Sequence, residues 1–294
     1  MPAAIDALTQ INLDDLVNAL GVQNRHRLAN ATRFLSRNAA RKFASQIIDF
    51  DAMIGAGGLA YASRSATRHY VRDVRVFGAD RLPAGPLLAL SNHPGMTDTL
   101  ALFCALRRDD LRAIALNRPF LSSLPNLSER LFYVTDDAAE RVALVRHVSA
   151  HLRNGGAILT FPAGHTEPDP DVYGGALESL HVWTDSAGVF LRLASETSVL
   201  PIVVRNVVWK RTARLPIVQI KRTRDERELL ASALQLIVQI LSGIKPVTVQ
   251  IQIGKPITVQ ELGTTETQVV HQAVLKEMKR LIENPPTGAG TSAL

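Results

Sequence analysis

Beginning near residue 73, short apolar runs with strand character alternate with longer stretches whose apolar residues recur at helical spacing. Val74–Phe77, Pro86–Leu90, Leu111–Leu116, Leu131–Thr135, Ala157–Phe161 and Val199–Val208 read as strands, and residues 97–108, 138–154 and 186–196 as the helices between them. Strands this apolar need cover on both faces, and helical crossovers supply it. The expected fold is therefore α/β, a mixed, largely parallel sheet flanked by helices. Val247–Ile253 adds a late strand, Leu215–Lys221 reads as another, and residues 258–283 read as one closing helix.

Residues 1–72 read as an N-terminal helical region. Leu16, Leu20, Leu28, Phe34, Leu35, Phe43, Ile47, Ile48 and Phe50 recur at helical intervals with arginines between them, and the glycines at 55, 57 and 58 interrupt the pattern. The α/β domain is expected over 73–284, and the Pro-, Gly-, Thr- and Ser-rich residues 285–294 read as a disordered tail. The N-terminus has no basic start followed by an apolar core, and no apolar run approaches the roughly 18 residues of a spanning helix, so a soluble or surface-bound protein is expected. A single cysteine, Cys104, rules out an internal disulfide and fits a reducing compartment.

The net charge of +6 favours anionic partners. Nucleic acid is excluded from the expected partners, because aromatics make up only 5% and do not interleave with the basic residues as stacking platforms would. The basic clusters at Arg25–Lys42, Arg64–Arg75 and Lys210–Arg224 read either as solvated faces or as contacts to an anionic membrane surface.

Directly after a strand stands Ser91-Asn92-His93-Pro94-Gly95-Met96-Thr97-Asp98, leading into an apolar helix. Strand ends are where open α/β sheets place their ligands. Pro94 and Gly95 bend the chain so that Asp98 can return to one imidazole nitrogen while the other faces a substrate, an arrangement suited to a general base. The spacing also allows Asp98 to be a plain helix cap, with Thr97 competing for that position.

In context, the sequence resembles the PlsC-like glycerolipid acyltransferases (lysophosphatidate and glycerol-3-phosphate O-acyltransferases). Asn92, His93 and Asp98 match their Asn-His-x-x-x-x-Asp block. Phe161-Pro162-Ala163-Gly164 matches their Phe-Pro-Glu-Gly block, Leu200–Val204 their Val-Pro-Ile-Val strand, and Gly254-Lys255-Pro256 their late turn. The resemblance implies an O-acyltransferase that moves a fatty acyl group from acyl-CoA or acyl-carrier protein onto a lipid or polyol acceptor. His93 would act as base oriented by Asp98, with Asn92, Thr97, Arg118, Phe161, Pro162, Gly164, His165 and Glu167 around the substrate. No metal and no cofactor besides the acyl donor are implied, and the expected location is cytoplasmic, peripheral at the inner face of a membrane. Backbone amides around Phe161–Gly164 are candidates for the oxyanion.

Two positions depart from the family pattern: Ala163 replaces its glutamate, and no arginine stands near Phe132–Asp136, leaving Arg118 and Arg141 as the nearest cations. In Gly164–Asp171 three readings compete. One is a metal site using His165, Glu167, Asp169 and Asp171, disfavoured because the prolines keep the run extended and point neighbouring side chains apart. The others are a polar turn, and acceptor recognition with Glu167 in place of the missing glutamate. Alternative functions are an N-acyltransferase acting on an aminolipid and a lipid-binding protein that has lost turnover.

Overall fold

The computed structural model describes residues 2–294. Strands β1 (Asp73–Phe77), β2 (Leu87–Ser91), β3 (Arg112–Leu116), β4 (Leu131–Val134), β5 (Ala157–Thr160), β6 (Ser198–Arg205), β7 (Thr248–Ile253) and β8 (Thr291–Ser292) form one sheet in the order β4-β3-β5-β2-β6-β7-β1-β8. Every neighbouring pair from β4 to β6 is parallel; β7 is antiparallel to β6 and parallel to β1. The C-terminal ends of β2, β3, β5 and β6 therefore open on the same edge of the sheet.

The principal helices are α1 (Pro2–Leu20), α2 (His26–Thr67), α3 (Met96–Leu106), α4 (Ala138–Arg153), α5 (Ser186–Leu193), α6 (Arg224–Ser242) and α7 (Thr267–Glu283). Successive residues of a strand face opposite sides, and β2 shows the consequence. Leu87 and Ala89 join Phe43, Ile47 and Phe50 of α2 and Leu102 of α3 in one core, whereas Leu88 and Leu90 join Leu152 of α4, Phe190 of α5 and Val274 of α7 in the other. All five residues of β2 are buried, so its end is a rigid platform for the loop that follows.

Three local expectations are corrected. Leu215–Lys221 is not a strand: Pro216 opens a short helical turn, Pro216–Gln219, as proline does well at a first helical position, and Ile220 points to solvent at 79% exposure. Residues 258–283 form two helices, because Gly263 adopts a left-handed φ of +68° and ends the turn Val259–Leu262. The segment 285–294 is not a free tail. Thr291–Ser292 pairs antiparallel with β1, Ala293 N donates to Val74 O at 2.9 Å, and Ala293 is buried. Without this pairing β1 would present an open edge of unsatisfied backbone groups. Phe34 and Leu35, which recur at helical spacing with the other apolar residues of α2, stand 79% and 77% exposed. Gly58 does interrupt α2, at φ +84°, where a Cβ would come within 2.5 Å of the Asp109 carboxylate.

Candidate active site

As the chain leaves β2, Asn92 is the first residue past the ladder. Its side chain accepts from Val204 N at 2.7 Å and donates to Val204 O at 3.0 Å, continuing the β2–β6 pairing with an amide side chain. Both ends of that amide are thus satisfied by β6 and the residue is buried, so Asn92 fixes the direction of the loop and does not face substrate as expected.

His93 follows. Its Nδ1 donates to Asp98 Oδ2 at 2.8 Å, and the same oxygen accepts from Gly95 N at 2.9 Å. Thr99 Oγ1 donates to Asp98 Oδ1 at 3.0 Å, and Asp98 has no exposed surface. The two readings of Asp98 prove to be one structure: the carboxylate satisfies an amide at the start of α3 and, from there, holds the imidazole. Thr97 makes no cap; its buried hydroxyl has no partner among the described residues. Thr97 borders a small cavity, lined also by Met96, Val207, Ser232, Gln235, Leu236 and Gln239. The His93 side chain is 30% exposed, its Nε2 takes part in no hydrogen bond among the described residues, and the Phe161 ring lies obliquely against it with centroids 4.5 Å apart. Burial works to lower the His93 pKa, but Asp98, and behind it Glu167, more than offset this and leave the imidazole above its ordinary value; Arg118 pulls slightly the other way.

Between β5 and α5 the segment 161–171 crosses the open edge. Gly164, at φ +70°, makes the turn that glycine tolerates best, and its amide donates to Phe161 O at 3.0 Å, which removes that N–H from the candidate oxyanion donors. Pro162 is buried. His165 is exposed, its Nδ1 paired with Ala163 O at 2.8 Å, and Ala163 packs against the second core. The carboxylates then alternate with prolines and go to different partners. Glu167 accepts from Trp183 Nε1 at 2.7 Å, Ser179 Oγ at 3.0 Å and His93 N at 3.3 Å. Asp169 accepts from the amides of Asn206, Val207 and Val208 just past β6. Asp171 pairs with the buried Arg205 at 3.1 Å.

Glu167 is 1% exposed and does not meet His165, so the expected acceptor-orienting pair does not form. Burial raises its pKa, and its bonds to Trp183, Ser179 and His93 oppose that rise. Arg118 stands exposed just after β3, near enough for its charge to act on both His93 and Asp15 of α1. From the sequence, Trp183 reads as packing only, Asp169 stands out only as a candidate metal ligand, and Ser179 and the α6 residues at the cavity do not stand out. The one available signal is the prolines, which separate the three carboxylates and send each to its own partner.

A largely parallel sheet whose strand-end loop presents a histidine backed by a buried aspartate is an α/β fold with a polar dyad at its open edge. Residues 73–205, from β1 through β6, match the family model described as Acyltransferase. The crystal structure of the 1-acyl-sn-glycerophosphate (LPA) acyltransferase PlsC from Thermotoga maritima is similar at a TM-score of 0.46 and 17% identity, over 94% of this chain and 97% of that one. No curated protein matches the sequence.

Proposed function

We propose that the chain transfers a fatty acyl group from acyl-CoA or acyl-carrier protein to a hydroxyl of a glycerol- or lysophospholipid-like acceptor. The observation that carries this reading is the 2.8 Å contact between His93 Nδ1 and the buried Asp98 carboxylate, with Nε2 left for a substrate. Nε2 takes the proton of the acceptor hydroxyl as its oxygen attacks the thioester carbonyl, and Asp98 stabilises the imidazolium that forms. Collapse of the tetrahedral intermediate breaks the C–S bond, and the imidazolium returns its proton to the departing thiolate. Phe161 flanks the imidazole, Thr97 lines a nearby cavity, and Arg118 is a cation whose charge acts on His93.

The acceptor is met at a membrane surface. Phe34 and Leu35 on α2 and Ile217 and Ile220 on the Pro216–Gln219 turn are exposed, with Arg27, Arg37, Arg214 and Arg222 among them in sequence. Lys221 Nζ donates to Leu20 O at 2.9 Å, tying that turn to the end of α1, next to the start of α2. Apolar side chains set among cations suit an anionic interface. Among the described residues, no helix is long and apolar enough to cross a membrane.

The test is thioester consumption by the purified protein with a panel of lysophospholipids, glycerol phosphates, polyols and amines, the products being identified by mass spectrometry. An ester product is expected, reduced at least about 100-fold in His93→Ala. An amide product would shift the reading to the aminolipid alternative. No thioester consumption with any acceptor, or near-wild-type turnover in folded His93→Ala, would overturn it.

A further inference from the structure

Behind the dyad lies a carboxylate that the proton transfer itself does not use. We infer that Glu167 is a positioning residue for His93, gripping its backbone while Asp98 holds its side chain, and keeping a fixed negative charge near the imidazole. Its backbone amide donates to His93 O at 2.9 Å and its carboxylate accepts from His93 N at 3.3 Å, so both backbone polar groups of the histidine are held by one residue. The other carboxylate oxygen is fixed in turn by Trp183 Nε1 at 2.7 Å and Ser179 Oγ at 3.0 Å.

Each oxygen of the Glu167 carboxylate accepts from a group that can only donate, Trp183 Nε1 or His93 N, so a proton on either oxygen would face one of them. These bonds favour the carboxylate against the burial that raises its pKa. The charged groups acting on the imidazole are therefore Asp98 from α3, Glu167 from the segment after β5, and Arg118 from the loop after β3, the last opposing the first two. Asp98 fixes the tautomer; Glu167 fixes the position of the residue and adds a second negative charge favouring the imidazolium that forms during transfer. This role explains how the site can carry Ala163 in place of the family glutamate and still bury a carboxylate four residues on: Glu167 serves the histidine and leaves the acceptor to other groups.

The inference rests on His93 being the base, and the first measurement is independent of turnover. The His93 pKa is followed by NMR titration in the free protein, wild type against Glu167→Gln. The glutamine oxygen can still accept from Trp183 and Ser179, but the side chain carries no charge. The His93 pKa is expected to fall by on the order of one pH unit. In acyl transfer, kcat should drop roughly 10-fold while KM for acceptor and donor stay within about twofold, and the acidic limb of the pH–rate profile should move to lower pH. Should Glu167→Gln fail to fold, Trp183→Phe removes one support of the carboxylate, and a smaller downward shift is expected. An unchanged His93 pKa, or a rise in acceptor KM at constant kcat, overturns the inference. A shifted pKa in a protein without acyl transfer would instead uphold the positioning and defeat the proposed function.

Discussion

Replacing Asp98 by Asn isolates the charge of the dyad from its shape. The asparagine oxygen can still accept from His93 Nδ1 and Gly95 N, the two donors that meet Asp98 Oδ2, and its NH2 can donate to Thr99 Oγ1, which now contacts Oδ1. The start of α3 should therefore hold. What disappears is attraction between a carboxylate and the imidazolium that the proposed deprotonation of the acceptor forms. With the charge centres about 4 Å apart and an effective dielectric of about 20, that attraction is about 4 kcal/mol. A neutral hydrogen bond returns about 1 kcal/mol of it. The remaining loss of about 3 kcal/mol corresponds to roughly two orders of magnitude in kcat. The assay is steady-state thiol release from an acyl thioester at saturating acceptor, with a thermal melt of the same preparation to show that the fold is intact. Because Asp98 is the stronger of the two groups that raise the His93 pKa, the acidic limb of the profile should also move to lower pH. A folded Asp98→Asn enzyme that keeps more than about a third of wild-type kcat would refute the electrostatic role, leaving Asp98 as a helix-start residue only.

Two further outcomes are expected. Sedimentation with vesicles should show binding to anionic bilayers that weakens with salt, whereas equal binding to neutral vesicles, or binding that survives high salt, counts against a surface built from arginines beside exposed Phe34, Leu35 and Ile220. Glu228 on α6 is buried with neither oxygen hydrogen-bonded, Arg224 Nε lying 3.3 Å away but out of alignment, and burial pushes its pKa to about 7. Its folded-state pKa is above the unfolded value of 4.5, so the proton-linked stability is complete below that value and is lost as pH rises through about 7. Glu228→Gln should then raise the unfolding free energy at pH 8 by roughly 1–3 kcal/mol and flatten its dependence between pH 5 and 8, as denaturant titrations at both pH values would show.

The layered fold is legible in the sequence because its signal is local: β2 is apolar on both faces, and its two faces serve two different cores. His93 and Asp98 are legible for the same reason, five residues apart on one strand-end loop. Asn92 misleads because its partner, Val204, lies 112 residues away on β6, and only the strand order shows that an amide there completes a ladder. Ser179 and Trp183 sit 12 and 16 residues past Glu167 in a stretch without period, so nothing local marks them as donors to a buried carboxylate. The end of the chain misleads in the opposite sense. Its composition is that of a free tail, and what orders it is the open edge of β1, where Ser292 Oγ also donates to Asp73 Oδ1 at 2.6 Å.

The alternation Glu167-Pro168-Asp169-Pro170-Asp171 shows how a segment can cross a sheet edge and still hold a histidine in place. A buried loop must find a partner for every backbone N–H it carries, and two prolines remove two of those demands while fixing φ. The segment can then lie across the edge and use its side chains as anchors. Glu167 holds the residue after Asn92 at the end of β2, Asp169 binds three successive amides past the end of β6, and Asp171 reaches Arg205, which itself donates to Leu281 O and Ile282 O near the end of α7. Asn92 already joins β2 to β6 from within the sheet, so the segment joins the same two strand ends a second time from outside it. The backbone of His93 is thus fixed by groups on two sides before any substrate arrives, and its side chain by a third group, Asp98. A general base gains from such preorganisation because no reorientation has to accompany the proton transfer.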